Sequence, residues 1–179
     1  MRRRYCVVLC ACAMIAACDR AADTPEPAAS VQPAGERATV EFDSAIATIS
    51  NADTTVTVRI EVAERDDQRA FGLMDRDRLD PDAGMVFLYR NLQDPNSGFW
   101  MYRTRIPLDI AFFDHNGRIV AIRQMAPCSS PVPAQCIEEA RNYRPGMPYT
   151  GALEVNRGFF AEHGFDVGDA IAIPGRVGG

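Results

Sequence analysis

The sequence predicts a β-dominated α+β domain: a compact sandwich or a barrel-like sheet of about seven or eight short strands, with two short helices. Three observations lead to this fold class. Apolar and polar residues alternate over several short segments, turn-forming sequences separate these segments, and only two segments have a helical period. The 179 residues of the chain suit one domain with its own core, which we place at residues 39–176.

Three strands and one helix are predicted in the first half of the domain. Residues 39–49 and 55–62 are the first two strands, and in the second of them Val or Ile recurs at every second position, which is typical of a strand with one buried face. Residues 64–74 change to a helical period, with two aspartates near the start. Gly84 follows that region, and residues 85–89 form a short apolar strand.

Five further strands and a second helix are predicted in the second half. The sequence Asp114-His115-Asn116-Gly117 favours a hairpin between two of these strands, because Asn-Gly tolerates the positive φ that such turns require. Residues 158–163 are predicted to form one or two helical turns that end at Gly164. The predicted strands are residues 99–103, 108–113, 118–125, 152–155 and 170–173.

The first 17 residues have the pattern of a bacterial secretory signal peptide. Three arginines come first, and residues 5–17 are apolar but too few to span a bilayer as a helix. The run ends in Ile15-Ala16-Ala17-Cys18, which resembles a lipobox, in which the cysteine thiol is lipidated. We therefore expect a signal peptide at residues 1–17 and a lipid on Cys18. The alternative is an ordinary signal peptide with a coincidental cysteine, since three other cysteines lie in the same run.

Residues 18–38 are predicted to be the lipidated cysteine and a disordered tether. The segment is polar, rich in Ala and Pro, and has neither a helical nor a strand period. The domain is therefore expected on the periplasmic face of a bacterial membrane or, without the lipid, free in the periplasm. Asp19 resembles the inner-membrane retention signal of some bacterial lipoproteins, which favours the inner membrane.

Charge and composition exclude several functions. All 19 basic residues are arginines, so a Schiff-base lysine and a P-loop lysine are excluded. Removal of the signal peptide leaves 16 basic and 24 acidic residues, a net charge of −8. No nucleic-acid partner is expected, because nucleic-acid binding needs a basic surface. Attachment to an anionic membrane would depend on the lipid for the same reason.

Cys128 and Cys136 are the two cysteines left in the domain. In an oxidising compartment such a pair is expected to form a disulfide, which would stabilise the fold by about 2.5 kcal/mol through chain entropy. A redox-active pair or a metal site is the alternative. The spacing is not that of C-x-x-C redox proteins, and two thiols alone make a poor zinc site.

A series of short motifs follows in order along the domain. They are Gly72-Leu73-Met74-Asp75-Arg76, Leu79, Gly84-Met85-Val86-Phe87, Phe99-Trp100-Met101, Thr104, Ile106-Pro107-Leu108-Asp109-Ile110, Leu153-Glu154-Val155, Gly158, Gly164 and Gly168-Asp169. Together they resemble the signature of the bacterial and archaeal family called domain of unknown function 192, over residues 56–173. The resemblance implies a compact β-rich domain and, because the family is uncharacterised, no particular activity.

The sequence departs from the family pattern at Tyr102-Arg103, where the family usually has Lys-Asn. If that lysine contacts a ligand in the family, Arg103 would take over the role here. An arginine keeps the positive charge but cannot do lysine chemistry, which favours binding over covalent catalysis.

Asp109 is the most informative polar residue of the domain. It stands between Leu108 and Ile110 in an otherwise apolar strand, so its carboxylate must be paired or lie on a wet face. It is either a ligand-binding or acid-base carboxylate, or a structural ion pair or exposed edge position. Arginines nearby would lower its pKa, which disfavours a general base.

One segment concentrates aromatic residues and arginines. As a strand, residues 99–102 would place Trp100 and Tyr102 on one face, and an open aromatic face suits a sugar or peptide ligand. Arginines beside it could hold an anionic group through two hydrogen bonds. The alternatives are that both faces are buried and that the arginines are rim residues. The predicted ligand-binding residues are Arg76, Trp100, Tyr102, Arg103, Thr104 and Asp109.

Histidines and methionines are expected to be structural. His115 lies at a hairpin tip and His163 at a helix C-terminus, and neither is near a Ser or Cys motif that would complete a triad. A zinc enzyme is not expected from two such histidines. Thioethers can bind Cu(I), so copper handling is an alternative to core packing. The methionines concerned are Met74, Met85, Met101, Met125 and Met147.

These observations predict a membrane-tethered extracytoplasmic domain of unknown activity. Our interpretation is a non-catalytic small-ligand-binding or accessory lipoprotein, without a metal or cofactor. Its expected partners are the membrane, through the lipid anchor, and an unknown small ligand or envelope protein. The alternatives are copper handling and a hydrolase in which Asp109 acts with Asp75 or Asp77.

Overall fold

Seven strands form one curled sheet, which confirms the predicted barrel-like, β-dominated α+β fold class. The computed structural model describes residues 40–128 and 130–178. The strands are β1 (Asp43–Ser50), β2 (Thr55–Ala63), β3 (Ala83–Gln93), β4 (Leu108–Phe113), β5 (Ile119–Met125), β6 (Tyr149–Asn156) and β7 (Ala170–Ala172). Their order in the sheet is β5-β4-β6-β3-β2-β1-β7. All pairs are antiparallel except β2 and β3, which are parallel.

The predicted signal peptide (1–17) and tether (18–38) lie outside the described residues and stay predictions. Within the part of the chain that the structure describes, no helix is long and apolar enough to cross a membrane.

The two ends of the sheet approach each other at one end of the curl. The Ile119 amide donates to the Asp169 carbonyl at 2.8 Å, and the Ile171 amide donates to the Gly117 carbonyl at 2.7 Å. Gly117 belongs to the predicted Asn-Gly hairpin and has a φ of +79°. A Cβ at this position would lie 2.0 Å from the Ile171 carbonyl oxygen, so only glycine permits this approach.

The inner face of the sheet carries apolar side chains from all seven strands. A short helix, α3 (Phe159–His163), closes this face with Phe159 and Phe160, and Phe165 follows it. The side chains from the strands are Ala47, Ile49, Val58, Ile60, Val62, Val86, Ala111, Phe113, Ile119, Leu153, Val155 and Ile171.

A second core covers the outer face of β3, β4, β5 and β6. The strands contribute Met85, Phe87, Leu108, Ile110, Phe112, Ala121, Met125, Tyr149 and Ala152. Loops lie over these residues and contribute Leu73, Met101 and Ile106, together with the bridged Cys128 and Cys136. Most of the sequence motifs therefore meet on this outer face.

Three α-helices form, not two, since α2 (Pro133–Glu139) follows α1 (Asp66–Phe71) and is itself continued by a 3-10 turn at Ala140–Tyr143. The sequence predicts no helix between Cys128 and residue 152. Pro133 is nevertheless compatible with a helix at the first helical position, where the amide needs no partner. The predicted disulfide is present, with Cys128 and Cys136 Sγ atoms 2.02 Å apart.

The prediction of a strand at residues 99–103 is wrong. Only Tyr102 makes a β-bridge there, an isolated one to Cys128. The chain turns instead, because Arg103 has a φ of +57° and the Thr104 amide donates to the Met101 carbonyl at 3.1 Å. The alternation of side chains still holds, since Met101 is buried while Trp100 and Tyr102 lie beside each other.

Candidate functional site

The candidate site lies where two loops meet over the outer face of the sheet. The first loop carries the motif at residues 72–76 and the second carries residues 99–105. Phe99 anchors the second loop, because its ring packs edge-on against Phe87 and Phe112 of the sheet, with ring centroids 5.0 and 5.5 Å apart. Both loops are thus fixed on the strands that carry the remaining motifs.

Asp75 and Arg103 join these loops, and both have a strained backbone. Among the described residues they are the only ones other than glycine with positive φ, +62° and +57°. The Asp75 amide donates to the Arg103 carbonyl at 2.8 Å, and the Arg103 guanidinium donates through Nε and Nη2 to both carboxylate oxygens of Asp75. Arg105 adds a hydrogen bond to Asp75 Oδ1 at 3.3 Å. We call Asp75, Arg103 and Arg105 the loop clasp.

The left-handed conformation costs about 1 kcal/mol or more for a residue with a side chain. Such strain persists only where the surrounding contacts fix it, and it concentrates at functional sites. Two strained residues hold each other in the loop clasp, and the clasp is therefore a candidate functional site.

A narrow crevice lies next to the loop clasp, because it is lined by the chain neighbours Met74 and Thr104. We call it the clasp crevice. Its volume is about 20 Å³, room for about one water molecule. Trp100 and Thr104, both predicted site residues, form part of its wall. The other lining residues are Arg69, Ala70, Phe71, Gly72, Leu73, Met74, Phe87 and Phe99. The crevice is therefore mostly apolar and aromatic, with few polar groups.

Trp100 and Tyr102 form an aromatic pair beside the loop clasp. Their ring centroids are 5.5 Å apart and their planes are inclined by 34°. Both residues are half-buried. The structure thus brings four predicted site residues together, namely Trp100, Tyr102, Arg103 and Thr104.

Arg76 lies on the far side of the first loop and is already paired. Its two terminal nitrogens donate to the two carboxylate oxygens of Glu61 at 2.7 and 2.5 Å. It lines a separate open groove of about 590 Å³, along with Arg59 and Arg78. The guanidinium groups of Arg76 and Arg103 therefore both hold carboxylates of the protein itself.

Asp109 lies away from these residues and is tied to α3. It is 2% exposed, and its Oδ2 accepts a hydrogen bond from the Gly158 amide at 2.9 Å. Oδ1 is sealed from solvent without a hydrogen-bond partner. Burial raises the pKa of the Asp109 carboxyl, and the Gly158 and Phe160 amides and Arg157 offset part of this rise.

In the hydrolase alternative, Asp109 shares none of its described hydrogen-bond partners with Asp75 or Asp77. Asp75 is held by Arg103 and Arg105, and Asp77 accepts from Arg105 at 2.8 Å. Asp109 accepts from the Gly158 amide near α3. No contact among the described residues joins Asp109 to either of the other two.

Glu154 is a site residue that the sequence analysis missed. It lies on β6 between Met85 of β3 and Ile110 of β4, and it is 4% exposed. Desolvation by burial raises the pKa of its carboxyl to about 8. The signal was present in the sequence, because Glu154 stands between Leu153 and Val155 as Asp109 stands between Leu108 and Ile110.

Three of the five methionines in the domain and one of the two histidines occupy structural positions. Met85, Met101 and Met125 are buried in the outer core, and Met147 is exposed. His163 Nδ1 lies 2.9 Å from the Phe159 carbonyl oxygen, one turn earlier in α3. Residues 40–128 and 130–178 contain no group of three or more His, Cys, Asp or Glu that could hold a metal ion.

The fold and these motifs define a β-rich single-sheet domain in which most of the motifs meet on the outer face of the sheet. The model of the family DUF192, described as "Uncharacterized ACR", matches residues 47–173, and the chain belongs to that family.

The solved structures similar to this chain include two bacterial proteins. One is a candidate transcription regulator from Sinorhizobium meliloti 1021, with 26% identity, a TM-score of 0.63, and coverage of 78% of this chain and 98% of that one. The other is a protein of unknown function from Novosphingobium aromaticivorans DSM 12444, with 25% identity, a TM-score of 0.58, and coverage of 84% and 99%. No curated protein matches the sequence.

Proposed function

We propose that this protein is an extracytoplasmic, membrane-tethered domain that binds a small ligand without catalysing a reaction, or serves as an accessory lipoprotein. The lipobox-like Ile15-Ala16-Ala17-Cys18 and the tether that follows support the tethered location. The bridged Cys128 and Cys136 support it independently, because disulfides persist mainly in oxidising compartments.

The loop clasp beside the clasp crevice is the observation that carries the binding role. Two strained residues, Asp75 and Arg103, hold together the loops whose aromatic side chains line an apolar crevice. Apolar crevices with a few polar groups are the usual sites of small ligands. Because this crevice holds about one water molecule, a larger ligand would have to part the two loops.

Binding explains the site better than catalysis does. The carboxylates that could act together are separated, and the arginines at the crevice and in the loop clasp are neutralised by aspartates. We do not propose the transcription-regulator role that is named for the Sinorhizobium protein. With 16 basic and 24 acidic residues, the mature chain has no excess of positive charge with which to bind nucleic acid.

A ligand screen by thermal shift tests the binding role. Hits should raise the melting temperature of the purified protein, and Trp100→Ala should remove the shift because Trp100 lines the crevice. Ile137→Ala is the matched control, since Ile137 is an exposed apolar residue of α2. Hits whose shifts survive Trp100→Ala would refute this site.

The location has its own test. In a bacterial host, the protein should incorporate labelled fatty acid and fractionate with membranes, and Cys18→Ser should abolish both. Unchanged labelling in Cys18→Ser, or recovery of the unlabelled wild-type protein from the cytoplasm, would refute the proposed anchor.

A further inference from the structure

Glu154 is a buried carboxyl group to which no described residue donates a hydrogen bond. The residue is 4% exposed. Among the described residues, Asp109 Oδ1 is the only buried side-chain oxygen or nitrogen that is both sealed from solvent and unpartnered. Glu154 is not part of that set. Because a buried polar group without a partner is costly, such a group calls for an explanation.

The neighbours of Glu154 are apolar, and they adjoin the clasp crevice. Met85 and Ile110 lie directly opposite it on the two adjacent strands. Phe87, which lines the crevice, lies on the same face two residue pairs further along β3. Leu73, from the first loop, packs in the same core and lines the same crevice.

The charged groups of this face are occupied elsewhere. Two strands away on one side, Glu61 holds Arg76, and on the other side Arg123 donates to the carbonyls of Arg144 and Pro145. Arg69 donates to the Leu88 carbonyl at 3.0 Å and to Asp66.

Two further groups complete the surroundings of this face. Arg103 is held by Asp75. Burial keeps Tyr89 neutral, because it raises the pKa of its hydroxyl. The chain contains no lysine. When Glu154 is ionised, no cation described on this face is therefore free to pair with it.

We propose that Glu154 is the anionic end of a binding site for a small alkylammonium ion, which enters between the two clasped loops. This inference rests on the proposed binding function and names the ligand class. The ammonium group would donate the hydrogen bonds that no described residue donates to Glu154. The ionised carboxylate would supply the negative charge that pairs with the ammonium ion. The aromatic wall formed by Phe99 and Trp100 suits the alkyl part and attracts cations through the ring faces.

The shape of the crevice restricts the ligand. A volume of about 20 Å³ admits the end of a primary amine far more readily than a quaternary ammonium group. Methylammonium is therefore the smallest adequate probe, and tetraethylammonium is the size control. Acetamide is the neutral control, because it donates hydrogen bonds without carrying charge.

Calorimetric titration of the purified full-length protein with methylammonium chloride tests the proposal. Binding should weaken by about tenfold or more in Glu154→Gln, since the charge-assisted contact is lost while the shape is kept. Asp109→Asn is the matched control, because it also neutralises a buried carboxyl but does so at α3. That variant should bind like the wild type.

The pH dependence provides a second readout. Below its pKa Glu154 carries a proton that the ammonium must displace, so wild-type affinity should rise with pH up to about 8 and then level off. Glu154→Gln should show no such rise.

Three outcomes would overturn the proposal: no methylammonium binding, equal binding by Glu154→Gln, or equal binding of acetamide or tetraethylammonium. Each is distinguishable from failure of the proposed function. If thermal-shift hits still depend on Trp100, the binding site stands and only the ligand class is wrong.

Discussion

Asp109 and Glu154 are buried carboxyl groups on neighbouring strands, yet they face opposite cores. In the ladder between β4 and β6, Asp109 pairs with Val155 and Ile110 pairs with Glu154. The two acids are thus one residue pair apart and point to opposite faces of the sheet. Asp109 lies with the inner face and α3, whereas Glu154 lies under the two motif loops.

The difference between them lies in their partners. Asp109 accepts a hydrogen bond from Gly158 and so fixes the chain as it enters α3. Glu154 has no such bond among the described residues, and its pKa is raised by desolvation alone. Burial by itself therefore does not identify a functional carboxyl group. A buried carboxyl that fixes the backbone is structural, while one to which no described residue donates is a candidate for ligand binding.

Glu154→Gln gives the largest expected effect, and the effect depends on pH. The folded-state pKa of about 8 lies above the ordinary value of 4.5, so the wild type is most stable with Glu154 protonated and loses stability as pH rises from 4.5 to 8. The glutamine variant does not suffer this loss. The difference in free energy of unfolding between Glu154→Gln and the wild type should therefore shift in favour of the variant by up to about 5 kcal/mol across this pH window. Above the window it should stay constant.

Chemical denaturation at a series of pH values measures this difference. The absolute offset at pH 4 reflects the cost of burying the amide, so the slope is the informative quantity. Parallel stability curves for the wild type and Glu154→Gln would show that the carboxyl titrates normally and would contradict the contrast drawn above.

Asp109→Ala is expected to destabilise the protein by about 2 kcal/mol at neutral pH. The substitution leaves the buried Gly158 amide without its acceptor and opens a small cavity beside α3. Asp109→Asn should cost much less, because its carbonyl oxygen can accept the same bond while its charge is absent.

Denaturant midpoints at pH 7 measure the two Asp109 variants. The pKa of Asp109 is raised, so the wild type loses stability relative to Asp109→Asn as pH rises above the unfolded-state pKa. Equal losses for Ala and Asn would mean that the charge, and not the bond to Gly158, is what the fold requires.

The sequence predicted the sheet well because alternation and turn residues are local signals. Residues 108–113 were predicted as a strand with the observed bounds of β4, and the hairpin at Asn116-Gly117 forms. The helix at Pro133–Glu139 escaped prediction, since the disulfide and two prolines suggested a loop. The strand predicted at residues 99–103 does not form, and β-rich composition cannot reveal that Phe99 is held by the rings of Phe87 in β3 and Phe112 in β4.

The site was predicted only in part, for a physical reason. Trp100, Tyr102, Arg103 and Thr104 are adjacent in sequence, so their proximity was certain in advance. The pairing of Arg103 with Asp75, of Arg76 with Glu61, and of Asp109 with Gly158 depends on contacts between distant segments. Such contacts decide whether a charge is available to a ligand, and no local pattern encodes them.

Substitutions in the loop clasp are expected to change stability least, and they test whether the clasp keeps water away from Glu154. Arg103→Ala removes the ion pair but keeps a side chain at φ +57°, whereas Arg103→Gly removes the ion pair and relieves the strain. The Gly variant should therefore be more stable than the Ala variant by about 1 kcal/mol.

Both Arg103 variants should loosen the loops over the outer face and admit water to Glu154, which would bring its pKa down toward 4.5. The pH-dependent slope of stability should then shrink in both variants, while the response to Asp109→Asn stays unchanged because Asp109 lies with α3. If the slope persists when Arg103 is replaced, the loops seal Glu154 without the clasp, and the apolar contacts of Leu73 and Met101 are what separate the two carboxyl environments.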